Sequence, residues 1–283
     1  MIKTISILGF FIGVAILIPL SFIPTASAGE RCSPLSGRCF EWPLVPDGTT
    51  LEKISTDGIW KKPNGNGPFP AVIIAESCGG STPAVDQMWP SFFNELGYAT
   101  YTPRVLGQFG EKYCPSLRFV ASNTNRAKML GVLYSALDEL ANKDFIKNDS
   151  IGIIGFSLGG ILIRDAGEVR NLKSPQGRQF KYAINVYGNC TLLERKGDNI
   201  PTLFILAEKD VAKGKRNSCL KVQDQGFNNL FFYDIKNAYH GFDDRTKTSL
   251  KKDVAGNEML FSEAATTEAK KVIKKFLESS NRH

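Results

Sequence analysis

A serine, an acid and a histidine can together perform nucleophilic chemistry, and this chain offers a placed candidate for each. Ser157 stands in "GFSLGG", Asp210 in "LAEKD" and His240 in "AYHGF". A serine hydroxyl is a weak nucleophile until a neighbouring base takes its proton. Of the two histidines, His283 is the last residue and is expected to fray, so His240 is the candidate base. In such a trio the carboxylate holds the imidazole tautomer and stabilises the imidazolium that forms. Asp210 meets the chain order of nucleophile, acid and histidine. Glu208, two residues earlier, competes for that role. Asp243 and Asp244 lie too close to His240 in sequence to be preferred and are expected to be solvated.

Ser157 belongs to a G-x-S-x-G pattern made with Gly155 and Gly159. The pattern alone is weak, but here it follows an apolar strand and opens a helix, the context a nucleophile elbow requires. The alternative is an idle serine at a close-packed turn, and for His240 an ordinary surface histidine. A developing oxyanion needs two backbone N–H donors. Leu158, directly after the serine, is expected to give one. The loop "ESCGGS" is expected to give the other, with Ser77 first and Cys78 second, because Gly79 and Gly80 let backbone approach a ligand closely. Glu76 either faces this site or makes a local loop hydrogen bond.

The surrounding pattern predicts how these residues are held. "PAVIIAE" (70–76) is a continuous apolar run of the kind found in strands covered on both faces. Residues 86–97 read as a short helix ending at a glycine, and 98–103 as a strand. Leu130, Leu133, Leu137 and Leu140 share one helical face between residues 123 and 143. Strands follow at 150–156, 181–188, 201–208 and 229–235, with a helix from the G-x-S-x-G serine to residue 168. Ser262 caps a last helix that aligns Ala265, Ala269, Val272 and Phe276. Apolar strands alternating with helices predict an α/β fold with a mostly parallel twisted sheet and helices on both faces. Residues 49–63 alternate more and are expected to form an antiparallel edge hairpin. Open sheets of this kind place their sites at the carboxyl ends of the strands.

The chain has 283 residues and a formal net charge of +7. Its basic residues are scattered without an aromatic-basic stripe, which argues against nucleic-acid binding. Residues 1–28 hold Lys3, an apolar core and the triplet Ala26-Ser27-Ala28, the order of a signal peptide cleaved after Ala28. An uncleaved anchor is the rival reading. After cleavage, residues 29–283 are expected to form one domain with no membrane contact, secreted or periplasmic. All six cysteines lie beyond the cleavage point, and an even number in an exported chain reads as disulfides. Sequential pairing, Cys32–Cys39, Cys78–Cys114 and Cys190–Cys219, closes short or moderate loops. With two histidines and no C-x-x-C, no metal site is expected. Arg104, Lys209 and Lys213 are candidates for an electropositive site entrance or, equally, for a solvated rim. The oligomeric state is left open.

The stretches "GPFPAVIIAESCGG", "LGYATYTPRV", "GFSLGG", "AEKD" and "AYHGF" resemble the dienelactone hydrolase-like members of the α/β-hydrolase superfamily, over roughly residues 50–280. The resemblance implies an α/β-hydrolase fold and the order Ser157, Asp210, His240. Dienelactone hydrolases proper carry cysteine at the position of Ser157, and an arginine four residues after the histidine where this chain has Asp244. They carry a glutamate matching Glu76. Cysteines like Cys78, Cys114, Cys190 and Cys219 recur in exported relatives.

Together these readings imply an exported serine hydrolase cleaving small-molecule carboxylic esters through an acyl-enzyme, with no cofactor. Amide cleavage, peptide cleavage or acyl transfer would use the same trio. A secreted binding protein on a hydrolase fold is the alternative from another class.

Overall fold

The computed structural model describes residues 45–169, 171–190, 200–211, 215–253 and 255–280. The signal-peptide reading of residues 1–28, the Cys32–Cys39 pairing, Lys213 and His283 lie outside them. Seven strands form one sheet: β1 (Gly58–Lys61), β2 (Phe69–Ala75), β3 (Ala99–Pro103), β4 (Ile146–Phe156), β5 (Ala183–Val186), β6 (Thr202–Ala207) and β7 (Leu230–Ile235). Their spatial order is β1-β3-β2-β4-β5-β6-β7. Only β1 runs antiparallel, against β3; the other pairings are parallel.

Period-two alternation explains why β2 reads as continuously apolar. Ala71, Ile73 and Ala75 enter one core with α3 (Asn123–Ala141) and α4 (Leu158–Glu168). Val72 and Ile74 enter the other, with α1 (Trp89–Glu95) and α6 (Glu263–Ser280). A strand that must satisfy two buried faces has no polar side to show. Between α1 and α3 lies the short α2 (Leu117–Ala121), and α5 (Lys215–Gln223) packs on β6 and β7. Ser122 caps α3, its Oγ accepting the Asn125 amide at 3.3 Å, and Ser262 caps α6, accepting the Ala265 amide at 3.2 Å.

Two expectations are corrected. Residues 49–63 form no hairpin: β1 is a lone strand whose partner is β3, with Gly58 opposite Pro103 and Lys61 opposite Thr100. The residues before it bond across α3 instead. The Ile54 amide donates to Ser135 Oγ at 2.9 Å, and Thr56 Oγ1 donates to Glu139 at 2.7 Å. The helix at 86–97 is split into a π-turn at Ala84–Met88 followed by α1. Pro90 lacks an N–H and is tolerated only in a helix's first turn, so regular helix starts just before it.

Candidate active site

The bend between β4 and α4 is a single residue. Ser157 has φ 53° and ψ −102°, a backbone conformation that costs an ordinary L-residue on the order of 1–3 kcal/mol. Its glycine neighbours follow from close packing. A Cβ on Gly155 would sit 2.4 Å from the Gly159 carbonyl carbon, and one on Gly159 would sit 2.4 Å from the Ala75 oxygen. A Cβ on Gly160 would meet Asn185 Oδ1 at 2.5 Å. Only glycine fits these positions, and the serine amide donates to the Val186 carbonyl at 3.1 Å. The hydroxyl is thereby presented at the carboxyl edge of the sheet.

His240 follows β7 and is 3% exposed. Its Nε2 lies 2.9 Å from Ser157 Oγ and its Nδ1 lies 2.7 Å from Asp210 Oδ2. The Asp210 carboxylate can only accept, so Nδ1 carries the proton and Nε2 is left to accept from the serine hydroxyl. The structure thus brings Ser157, His240 and Asp210 together. One backbone bond ties the two loops, the Lys209 amide donating to the Ala238 carbonyl at 2.8 Å, and the Asp210 amide closes its own turn onto the Ala207 carbonyl at 2.9 Å. Behind the imidazole, the His240 amide donates to the Glu258 carbonyl at 3.1 Å, beside the small hairpin β8 (Lys251–Lys252) and β9 (Glu258–Met259). Glu208 turns elsewhere. It accepts the Asn237 amide at 2.9 Å and the Lys236 ammonium at 3.2 Å, and these bonds hold its carboxyl below the usual range.

The loop after β2 packs against the elbow. The Glu76 carbonyl accepts the Gly159 amide at 3.1 Å, the Gly80 amide donates to the Ser77 carbonyl at 2.9 Å, and the Gly79 amide donates to Ser77 Oγ at 3.1 Å. Gly80 has φ +63°, and a Cβ there would fall 2.0 Å from the Lys112 oxygen. Ser77 and Cys78 line a cleft of about 570 Å³ over Ser157 and His240, and Leu158 lies buried beneath it. Cys78 is disulfide-bonded to Cys114, and the Cys114 amide donates to the Cys78 carbonyl at 2.9 Å. A second disulfide joins Cys190 to Cys219 on α5. Among the described residues no cysteine is free.

Glu76 and Arg104 are placed away from the cleft. Glu76 is buried and its Oε1 accepts the Leu106 amide at 2.7 Å, so it braces the loop after β3; burial raises its pKa. Arg104 is engaged by Asp86 through two bonds of 2.7 and 3.1 Å. The basic residues that do line the cleft are Lys247, Lys251 and Lys252. Lys247 pairs with Asp244 at 3.3 Å and Lys252 with Glu258 at 3.6 Å. Their signal in the sequence was "KTSLKK" just after the candidate histidine, which carries no periodicity to place it. Asp243 and Asp244 are also corrected: they are 2% and 8% exposed, not solvated. Trp89 and Tyr187, distant in sequence, cover Asp243 and donate to it. Among the described residues no group of three or more His, Cys, Asp or Glu is placed to hold a metal, and no helix is long and apolar enough to cross a membrane.

A mostly parallel sheet with a serine at a positive-φ strand-to-helix elbow is the architecture of the α/β hydrolases. Within that class the chain belongs to the dienelactone hydrolase family, whose model matches residues 56–280. It is by family a hydrolase of ester bonds. Solved structures similar to it include a dienelactone hydrolase from Anabaena variabilis, 17% identical with a TM-score of 0.55, the match covering 81% of this chain and 94% of that one. Another is a thermophilic esterase from Thermogutta terrifontis with propionate bound, 13% identical with a TM-score of 0.56, covering 84% and 93%. At these identities the likeness is one of fold. No curated protein sequence matches the chain.

Proposed function

We propose that the protein is an exported serine hydrolase that cleaves small-molecule carboxylic esters through Ser157, His240 and Asp210. The observation that carries this reading is the unbroken contact from Ser157 Oγ through His240 to Asp210, at 2.9 and 2.7 Å, starting from a strained elbow. Ser157 Oγ attacks the ester carbonyl while His240 Nε2 takes its proton. The amides of Ser77 and Leu158 hold the oxyanion. The carbon–oxygen bond breaks, the departing alkoxide takes the proton from His240, and an acyl-serine remains. Water then gives a proton to His240 and attacks the acyl carbon, releasing the acid and restoring the serine. The serine in place of a thiol keeps this chemistry independent of the redox state of the nucleophile.

Export is supported by the signal-like residues 1–28 and by the disulfides Cys78–Cys114 and Cys190–Cys219, which persist in oxidising compartments. On this reading residues 29–283 form the mature domain. A fluorophosphonate probe tests the nucleophile directly. Labelling mapped to Ser157 and abolished in Ser157→Ala is expected; no labelling, or labelling elsewhere, contradicts the proposal.

A further inference from the structure

The turn that carries His240 also carries a second buried carboxylate that the proposed reaction does not use. Asp243 Oδ1 accepts the Tyr187 hydroxyl at 2.6 Å, and its Oδ2 accepts the Trp89 indole N–H at 2.6 Å. One donor on each oxygen suits the ionised, acceptor-only carboxylate. Burial nevertheless raises the pKa of Asp243, with the Tyr187 and Trp89 bonds opposing it. Among the described residues no cation pairs with it; its neighbours Arg245 and Lys247 are engaged by Glu263 and Asp244. A carboxylate buried among neutral donors is costly unless a positive charge lies near.

Tyr187 links this carboxylate to the imidazole. Its ring centroid lies 4.8 Å from that of His240, and its hydroxyl is the one bound to Asp243. Its backbone is held at φ 42°, left-handed for a bulky side chain. Its amide donates to the Ile205 carbonyl at 2.9 Å, and the preceding Val186 carbonyl accepts the Ser157 amide. Tyr187 therefore follows the residue that binds the nucleophile's amide, and its side chain touches both the ring of the base and the buried acid.

We infer that Asp243, acting through Tyr187, is a positioning residue that fixes the His240 imidazole and steadies the imidazolium formed when Ser157 gives up its proton. The inference rests on the serine-hydrolase reading above. Asp210 faces the imidazole from the loop after β6 and Tyr187 from the end of β5, while Asp243 and Asp244 lie on its own turn and line the same cleft. Asp244 is already bound to Thr246 and Lys247. Lys251, Lys252 and Asp253 stand further along the cleft wall.

The test is the pH dependence of kcat and KM for the wild type, Asp243→Asn and Tyr187→Phe. Without the Asp243 charge an imidazolium is less favoured, so the acid limb of kcat/KM moves to lower pH, by about one unit for the loss of a nearby opposite charge. The value of kcat falls about tenfold, and KM stays within about twofold. Tyr187→Phe keeps the ring and removes one donor from the carboxylate, so its limb moves the same way by less. It decides the matter alone if Asp243→Asn does not fold. Acid limbs unmoved in folded variants, with any loss of kcat tracking lost folded protein, overturn the inference. A wild-type protein that neither turns over esters nor labels at Ser157 overturns the underlying reading instead.

Discussion

The amide of Gly159 donates to the carbonyl of Glu76 at 3.1 Å. That bond joins the first turn of α4 to the loop after β2, so the two segments proposed to supply oxyanion donors, at Leu158 and Ser77, are set relative to each other by one main-chain contact. It forms only because nothing stands between them: a Cβ on Gly159 would lie 2.4 Å from the Ala75 oxygen.

Gly159→Ala should therefore damage the site and the sheet together. Relief requires β2 to shift, since the obstructing atom is backbone. Overpacking of this kind costs about 1–3 kcal/mol, and misplaced donors lower kcat further. Denaturant midpoints and ester turnover on the same preparations check this. A variant with unchanged stability and unchanged kcat contradicts the packing argument.

The two disulfides separate stability from activity. Their sequence separations, 36 and 29, are similar, so removing either should cost a similar amount, about 3–4 kcal/mol by loop entropy. Only Cys78 adjoins Ser77 and lines the cleft with its partner. Paired serine replacement of Cys78 and Cys114 should lower kcat per folded molecule severalfold, while replacement of Cys190 and Cys219 should leave it within about twofold. Equal losses in both contradict the assignment of the first bridge as a clamp on the Ser77 loop.

Burial of Glu76 gives a pH-dependent stability with a definite sign. Its pKa is raised from 4.5, first by desolvation, against the opposing Leu106 bond. Folding thus favours the protonated carboxyl, and Glu76 costs stability progressively as pH rises from the ordinary value through its higher folded one. Glu76→Gln keeps an acceptor for the Leu106 amide without a charge to bury. Its stability relative to wild type should rise between acid and neutral pH, as followed by thermal or denaturant unfolding across that range. Parallel curves contradict the prediction.

Local features were the ones legible in the sequence. The strand, Gly155, Ser157 and Gly159 are contiguous, and steric demands at a one-residue bend can be read from neighbours alone. Asp210 could be located because it stands three residues past a buried apolar strand, whose end has a known address in a parallel sheet. Between Asp210 and Glu208 the choice turns on the Lys209–Ala238 backbone bond and on the Asn237 amide's bond to the Glu208 carboxylate, which only the folded chain contains. Long-range partners account for what was not legible. Asp243 is buried by Tyr187 and Trp89, 56 and 154 residues away, so its own neighbourhood reads as polar. Residues 51–57 form no second strand; there the Ile54 amide bonds to Ser135 and the Thr56 hydroxyl to Glu139, both on α3. Arg104 reads as free because its carboxylate partner, Asp86, lies 18 residues away in the π-turn before α1.

The central proposition is that the hydroxyl of residue 157 performs the first bond-making step. Hydrolysis of p-nitrophenyl acetate by the purified protein and by Ser157→Ala measures it most directly. Steady turnover by the wild type, falling by about a thousandfold or more in a variant of unchanged fold, is the predicted result. Equal rates in the two proteins, or none in either, would contradict it.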